Sequence, residues 1–128
     1  CIRDRDWDAR YSEMTAYDEI FTNEEVDATV QYVRLISGQE HDAALAEVGT
    51  ELFLNNCAAC HGDNGMGNRD LGAPNLTDAI WLYGGDVASL EETVRYARFG
   101  VMPPWGTRLT EAEVKAVTAY VHQLGGGE

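Results

Sequence analysis

The sequence predicts an all-α fold. Three helix starts carry a capping box, apolar residues recur at helical spacing behind two of them, and Gly-rich loops lie between with little strand alternation. The first start is Thr22 with Glu25, where Phe21 and Val26 add a hydrophobic staple. The helix from Thr22 carries an apolar face of Val26, Val30 and Val33. A second helix is expected over Ala44 to Asn56, with Leu45, Val48, Leu52 and Phe53 turned inward. Gly49 on that helix would permit close approach of another backbone. From Gly62 to Gly85 the chain is loop-rich, with Pro74 in the middle. Ser89 with Glu92 starts a helix expected to run to Gly100. Thr110 with Glu113 starts the last one, stapled by Leu109 and Val114. It places Val114, Val117, Val121 and Leu124 on one face and ends at Gly125.

The chain has 128 residues and suits one domain with an appendage. No apolar run is long enough for a transmembrane helix. The formal charge is −13, and it is uneven: residues 1–56 hold 13 acids and 4 bases, residues 57–128 hold 9 acids and 5 bases. Nucleic-acid binding is disfavoured, because phosphate contacts need Lys and Arg. An acidic surface either keeps the chain soluble or steers a basic protein partner toward it.

The chemistry concentrates in Cys57-Ala58-Ala59-Cys60-His61. Cys-x-x-Cys-His is a haem attachment pattern. Two thiols one helical turn apart can add to the two vinyl groups of one porphyrin. His61 is then held beneath the ring to ligate iron through a neutral imidazole. Other readings make other demands. A thioredoxin-like pair would follow a strand, and this motif follows a helical stretch. A zinc site would need more ligands, and only His41 and His122 remain as histidines. A plain disulfide would leave His61 without a role. Cys1 is left over, and nothing near it explains it.

For one covalent haem c, the electron-transfer choice of sixth ligand is a thioether. The chain has three methionines, Met14, Met66 and Met102. Met66 is only five residues from His61, too close to reach the opposite face easily. Met102 stands in Gly100-Val101-Met102-Pro103-Pro104-Trp105-Gly106, where two prolines stiffen the loop and limit reorganisation on electron transfer. The metal ligands expected are therefore His61 and Met102.

The two ends of the chain are copies. An ungapped offset of 88 pairs Arg10 with Arg98, Met14 with Met102, Thr22 with Thr110, and Glu25 with Glu113. It also pairs Val26 with Val114, Ala28 with Ala116, Tyr32 with Tyr120, Val33 with Val121, and Gly38 with Gly126. Amphipathic helices share Val and Ala cheaply, but the Met and Arg pairs lie upstream of the helices. The pattern reads as a tandem duplication. Residues 1–40 are expected to be the C-terminal remnant of an upstream cytochrome c domain, and residues 41–128 a complete mono-haem domain. On this reading Met14 is an axial-ligand position with no haem of its own.

Residues 49–126 resemble the second haem domain of the di-haem cytochrome c subunit (subunit III, FixP or CcoP) of cbb3-type cytochrome c oxidases. The resemblance is carried by Asn56 to Gly62, by Gly72-Ala73-Pro74-Asn75-Leu76-Thr77-Asp78, and by Trp81-Leu82-Tyr83-Gly84-Gly85. The Met102-Pro103 loop and Tyr120-Val121-His122-Gln123-Leu124 continue it. The resemblance implies a class I cytochrome c fold with an N-terminal helical remnant. It implies His61 and Met102 as axial ligands, and a Pro74 carbonyl that accepts from the other nitrogen of His61. Leu76 would pack on the haem, and Trp81, Tyr83 and Arg98 would lie near its edge or propionates. Gly49 and Tyr120 would mark the crossing of first and last helices. The implied role is an electron-transfer module, not an enzyme by itself, passing electrons toward the oxygen-reducing subunit. The partners implied are the other oxidase subunits and a cytochrome c donor, on the periplasmic side of a bacterial inner membrane. A free soluble shuttle cytochrome is the alternative, and a gas-binding haem sensor a more remote one. The chain departs from the family in showing neither the membrane anchor nor a first attachment motif, and in having Thr15 where Pro usually follows the first methionine.

Overall fold

The computed structural model describes residues 13–100 and 105–125. Its helices are α1 (Asn23–Ile36), α2 (Ala43–Asn56), α3 (Ala58–His61), α4 (Val87–Tyr96) and α5 (Glu111–Gly125), with a short 3-10 turn at Trp105–Thr107. Among the described residues there is no strand, only an isolated bridge between Asn68 and Ala73. The fold is all-α. No described helix is long and apolar enough to cross a membrane. The chain divides into two compact units: Arg10–Phe99, and Cys1–Ala9 together with Gly100–Glu128.

In the larger unit, α1 starts where the capping box places it. The Thr22 hydroxyl accepts from the Glu25 N–H, and the Glu25 carboxylate accepts from the Thr22 N–H at 2.8 Å. The apolar face of α1 is covered by α2, so Val26 and Val30 are fully buried and Val33 nearly so. Gly49 of α2 lies at the crossing. A β-carbon there would overlap the Ala28 carbonyl oxygen and stand 2.8 Å from the Tyr32 β-carbon. Tyr32 is the repeat counterpart of Tyr120, the residue to which the resemblance assigns this crossing. Tyr32 and Phe53 rings then meet at 4.9 Å beneath it.

Two local expectations are corrected. The buried face of α2 is Ala46, Gly49 and Phe53, whereas Val48 is 57% exposed. The close approach at Gly49 turns that stripe, not Val48, toward α1. Helix α4 begins two residues before Ser89, because the Asp86 carboxylate accepts from the Ser89 N–H at 3.0 Å and acts as the cap. The Ser89 hydroxyl donates to the same carboxylate at 2.7 Å instead of capping. The helix stops at Tyr96, before Gly100, because Ala97 takes a left-handed conformation at φ 49°.

In the smaller unit, Thr110 and Glu113 form the expected reciprocal capping bonds. The guanidinium of Arg108 lies over the Trp105 ring at 5.4 Å.

Gly49→Ala should destabilise the protein by about 1–3 kcal/mol, the usual range for overpacking. That is the net result expected after a gain of about 1 kcal/mol in helix propensity from the same change. Urea unfolding followed by helical circular dichroism measures it; unchanged or increased stability would refute the close crossing.

Candidate functional site

The attachment motif follows α2 with a short break. The Cys57 N–H ends α2 by donating to the Phe53 carbonyl at 2.8 Å. The Cys57 carbonyl then accepts from Cys60 at 3.1 Å and from His61 at 2.9 Å, starting the single turn of α3. This turn sets both thiols and the imidazole along one short stretch of helix. Cys57 is half-buried, Cys60 is exposed, and both are free thiols. Burial pushes the Cys57 thiol up to about 11, with the neighbouring Cys60 adding to the rise.

His61 is 9% exposed. Its Nδ1 lies 3.0 Å from the Pro74 carbonyl oxygen, so Nδ1 donates and Nε2 is left as the free nitrogen. Burial lowers its tendency to protonate, and the bond to Pro74 opposes this in part. The imidazole is therefore neutral at neutral pH, as metal ligation requires.

The loop after His61 is built to hold Pro74 there. The Gly67 N–H donates to the His61 carbonyl at 2.7 Å, and the Leu76 N–H to the Gly65 carbonyl at 2.7 Å. Asn68 and Ala73 exchange both backbone bonds at 3.0 Å, closing the loop just before Pro74. Gly67 has φ +81°, and a β-carbon on it would stand 2.6 Å from the Ala73 oxygen and from the Pro74 carbonyl carbon. Only glycine lets the two arms of the loop touch here.

Other sequence-indicated residues fall into two groups. Leu76 and Trp81 pack against the same core cluster as Cys57, and the Trp81 indole closes on Gly85. Arg98 lies over the Tyr83 ring at 4.8 Å. Its guanidinium donates to the Ser89 carbonyl, to Thr93 Oγ1 at 2.8 Å, and to Glu92 at 3.1 Å. Arg98 thus ties the Tyr83 stretch to α4. Met102 and Pro103 lie outside the described residues.

The residue the sequence reading missed is Tyr17. Its hydroxyl donates to the Asn56 carbonyl at 2.9 Å, one residue before the motif. Burial raises its hydroxyl, with charge on Cys57 and Cys60 contributing, so it lies within electrostatic reach of both thiols. The signal was available: the offset of 88 pairs Tyr17 with Trp105.

The donor set fits a covalent haem. Two thiols and one neutral imidazole stand on one turn, and the imidazole's second nitrogen is already fixed by a carbonyl. Among the described residues no group of three or more His, Cys, Asp or Glu gathers as a zinc site would need.

Comparison with known proteins agrees. Residues 44–121 match the family described as cytochrome C oxidase, cbb3-type, subunit III. The chain is 60% identical, over 96% of its length, to the cbb3-type cytochrome c oxidase subunit CcoP of Cereibacter sphaeroides, covering 43% of that protein. It is 51% identical to the subunit CcoP of Rhodobacter capsulatus, over 87% of this chain and 40% of that one. It is 47% identical to the subunit FixP of Azorhizobium caulinodans, over 99% of this chain and 44% of that one. The chain therefore spans less than half the length of these relatives. With a family match across the haem-attachment motif and this level of identity, the chain belongs to the cbb3-type cytochrome c oxidase subunit III family.

Proposed function

We propose that this chain is a haem c electron-transfer module of a cbb3-type oxidase, passing electrons toward the oxygen-reducing subunit. The carrying observation is the placement of His61: buried, neutral, and oriented by the Pro74 carbonyl at 3.0 Å, on the same turn as two free thiols. Bound haem would supply a one-electron iron couple. Cys57 and Cys60 would hold it covalently through their two thiols. His61 would ligate its iron through Nε2, with the Pro74 carbonyl fixing the orientation of the ring. By the resemblance the Met102 thioether would be the other iron ligand from this chain, with Pro103 stiffening its loop. Thioether and imidazole ligation would raise the potential relative to two nitrogens. By the resemblance Leu76 would pack on the ring, and Trp81, Tyr83 and Arg98 would lie toward its edge.

One haem per chain is proposed, with residues 41–128 as its domain and residues 1–40 as the remnant of a preceding one. The module does no chemistry beyond electron transfer by itself. Its partners are the other oxidase subunits and a cytochrome c donor, on the periplasmic side of a bacterial inner membrane. The charge of −13 suits a basic donor. The named relatives are all oxidase subunits, which favours this over a free shuttle.

Expressed with a c-type maturation system, the chain should retain one haem through acid–acetone extraction and give a low-spin spectrum with a weak near-infrared thioether-to-iron band. Haem lost in the extract would overturn the assignment. Replacing both Cys57 and Cys60 with Ala should release the haem into the acetone phase. Gly67→Ala should lower the stability of the holoprotein by about 1–3 kcal/mol through backbone strain. A denaturant titration followed in the Soret region reads this; an unchanged midpoint would mean that the Gly67 contact does not hold the Pro74 loop.

A further inference from the structure

Between His61 and Pro74 the chain makes a loop whose shape rests on hydrogen bonds. Its tip, Arg69 to Gly72, is exposed, and even Leu71 is 45% exposed, so burial does little to fix it. Asn68 stands at the entry to that tip. Its Oδ1 accepts from the Asp70 N–H at 2.9 Å and from the Leu71 N–H at 3.3 Å. A side-chain oxygen bonded to amides two and three residues on closes an Asx turn. The turn continues as the Gly72 N–H donates to the Arg69 carbonyl at 3.2 Å, with Gly72 at φ +69°. The chain is thereby reversed, and Ala73 comes back beside Asn68 to exchange both backbone bonds with it.

Pro74 follows directly. It has no N–H with which to hold itself in place. Its carbonyl oxygen is therefore positioned by the chain on either side. On the far side, the Leu76 N–H bonds to the carbonyl of Gly65, a buried residue. Asn75 Oδ1 accepts there from the N–H and the hydroxyl of Thr77, which shapes the chain beyond Pro74. On the near side, the anchor is the pair of Asn68 and Ala73. Asn68 contributes to it twice, through its backbone and through its side chain. Without the side-chain acceptor, the tip loses the bonds that bring Ala73 back.

We propose that Asn68 is a positioning residue for the haem ligand: by closing the 69–72 turn it holds the Pro74 carbonyl on His61 Nδ1, and so sets the reduction potential of the iron. The bond to Pro74 makes the imidazole a more basic ligand. A more basic ligand stabilises ferric iron more than ferrous. A Pro74 carbonyl that drifts away weakens the bond, and the potential rises. The inference rests on the haem reading above, and within it only on His61 as a ligand through Nε2.

The test uses the reduced holoprotein of this chain. Proton NMR follows the exchange of the His61 Nδ1–H with solvent, and a redox titration gives the potential. Covalent haem content and helical circular dichroism are the folding controls. In Asn68→Ala the Nδ1–H should exchange about tenfold faster, as expected when the two side-chain bonds of an exposed turn are lost, and the potential should rise. In Asn68→Asp, which keeps the acceptor, exchange should stay at the wild-type rate, and the added negative charge moves the potential down, not up. If Asn68→Ala does not fold, Asn68→Ser takes its place; its shorter, weaker acceptor should move exchange and potential in the same directions. Wild-type exchange and potential in the folded variant overturn the proposal and leave the haem reading standing. Faster exchange with an unchanged potential also overturns it, since Asn68 would then hold the loop without acting on the ligand. So does an Asn68→Asp protein that exchanges as fast as Asn68→Ala. A wild type without covalent haem removes the haem reading, and the role of Asn68 with it.

Discussion

Gly49 has no side chain, and much of the larger unit is arranged around that fact. The missing β-carbon lets the Ala28 backbone of α1 settle directly onto α2. Helices normally pack with axes about 8–10 Å apart, set by the side chains between them. At Gly49 the backbone itself is the contact surface. Closing the two helices buries Val26, Val30 and Phe53 completely. It also brings Tyr17, just upstream of α1, over the last turn of α2, where the haem-attachment motif begins. The position of the attachment turn thus depends on a helix that the repeat assigns to a preceding domain.

The site itself works by dividing its labour between a turn and a loop. The turn Cys57–His61 groups the reactive atoms, since short-range helical bonds suffice to set thiols and imidazole along one stretch. The loop supplies the orientation. Its closure at Asn68 and Ala73, with Gly67 pressed against the Pro74 backbone, fixes one carbonyl oxygen 3.0 Å from His61. A histidine so held has one tautomer and one free nitrogen. Its burial keeps it neutral without a nearby carboxylate. For a one-electron carrier this matters, because a ligand that changes orientation or protonation with the charge on iron would add reorganisation to each transfer.

Two segments share a capping box, a staple, a Tyr–Val pair and a methionine at one register. Both fold into the same turn and helix start. At Gly49 the groove on α2 takes the small Ala28 and Tyr32, and the second copy carries Ala116 and Tyr120 at the same register. Upstream of the helices, Pro103 follows one methionine and Thr15 the other.

The residues alone determined the all-α class, the capped starts at Thr22 and Thr110, and the trio Cys57, Cys60 and His61. Each is a short-range feature, decided by side chains within four or five positions of one another. The resemblance added the pairing of His61 with Pro74, which spacing does not reveal. Other features waited on the tertiary structure. The cap of α4 passed from Ser89 to Asp86, because a carboxylate placed three residues earlier bonds the Ser89 amide better than the serine bonds its own helix. The buried stripe of α2 turned away from Val48, because the backbone contact at Gly49 dictates the rotation. Most of all, the resemblance gave Gly49 and Tyr120 of the last helix as the crossing, whereas the structure sets Ala28 and Tyr32 of α1 against Gly49. Only the assembled structure decided that, since seating α1 requires partners from α2 and α4 that are distant in the chain and close only once folded.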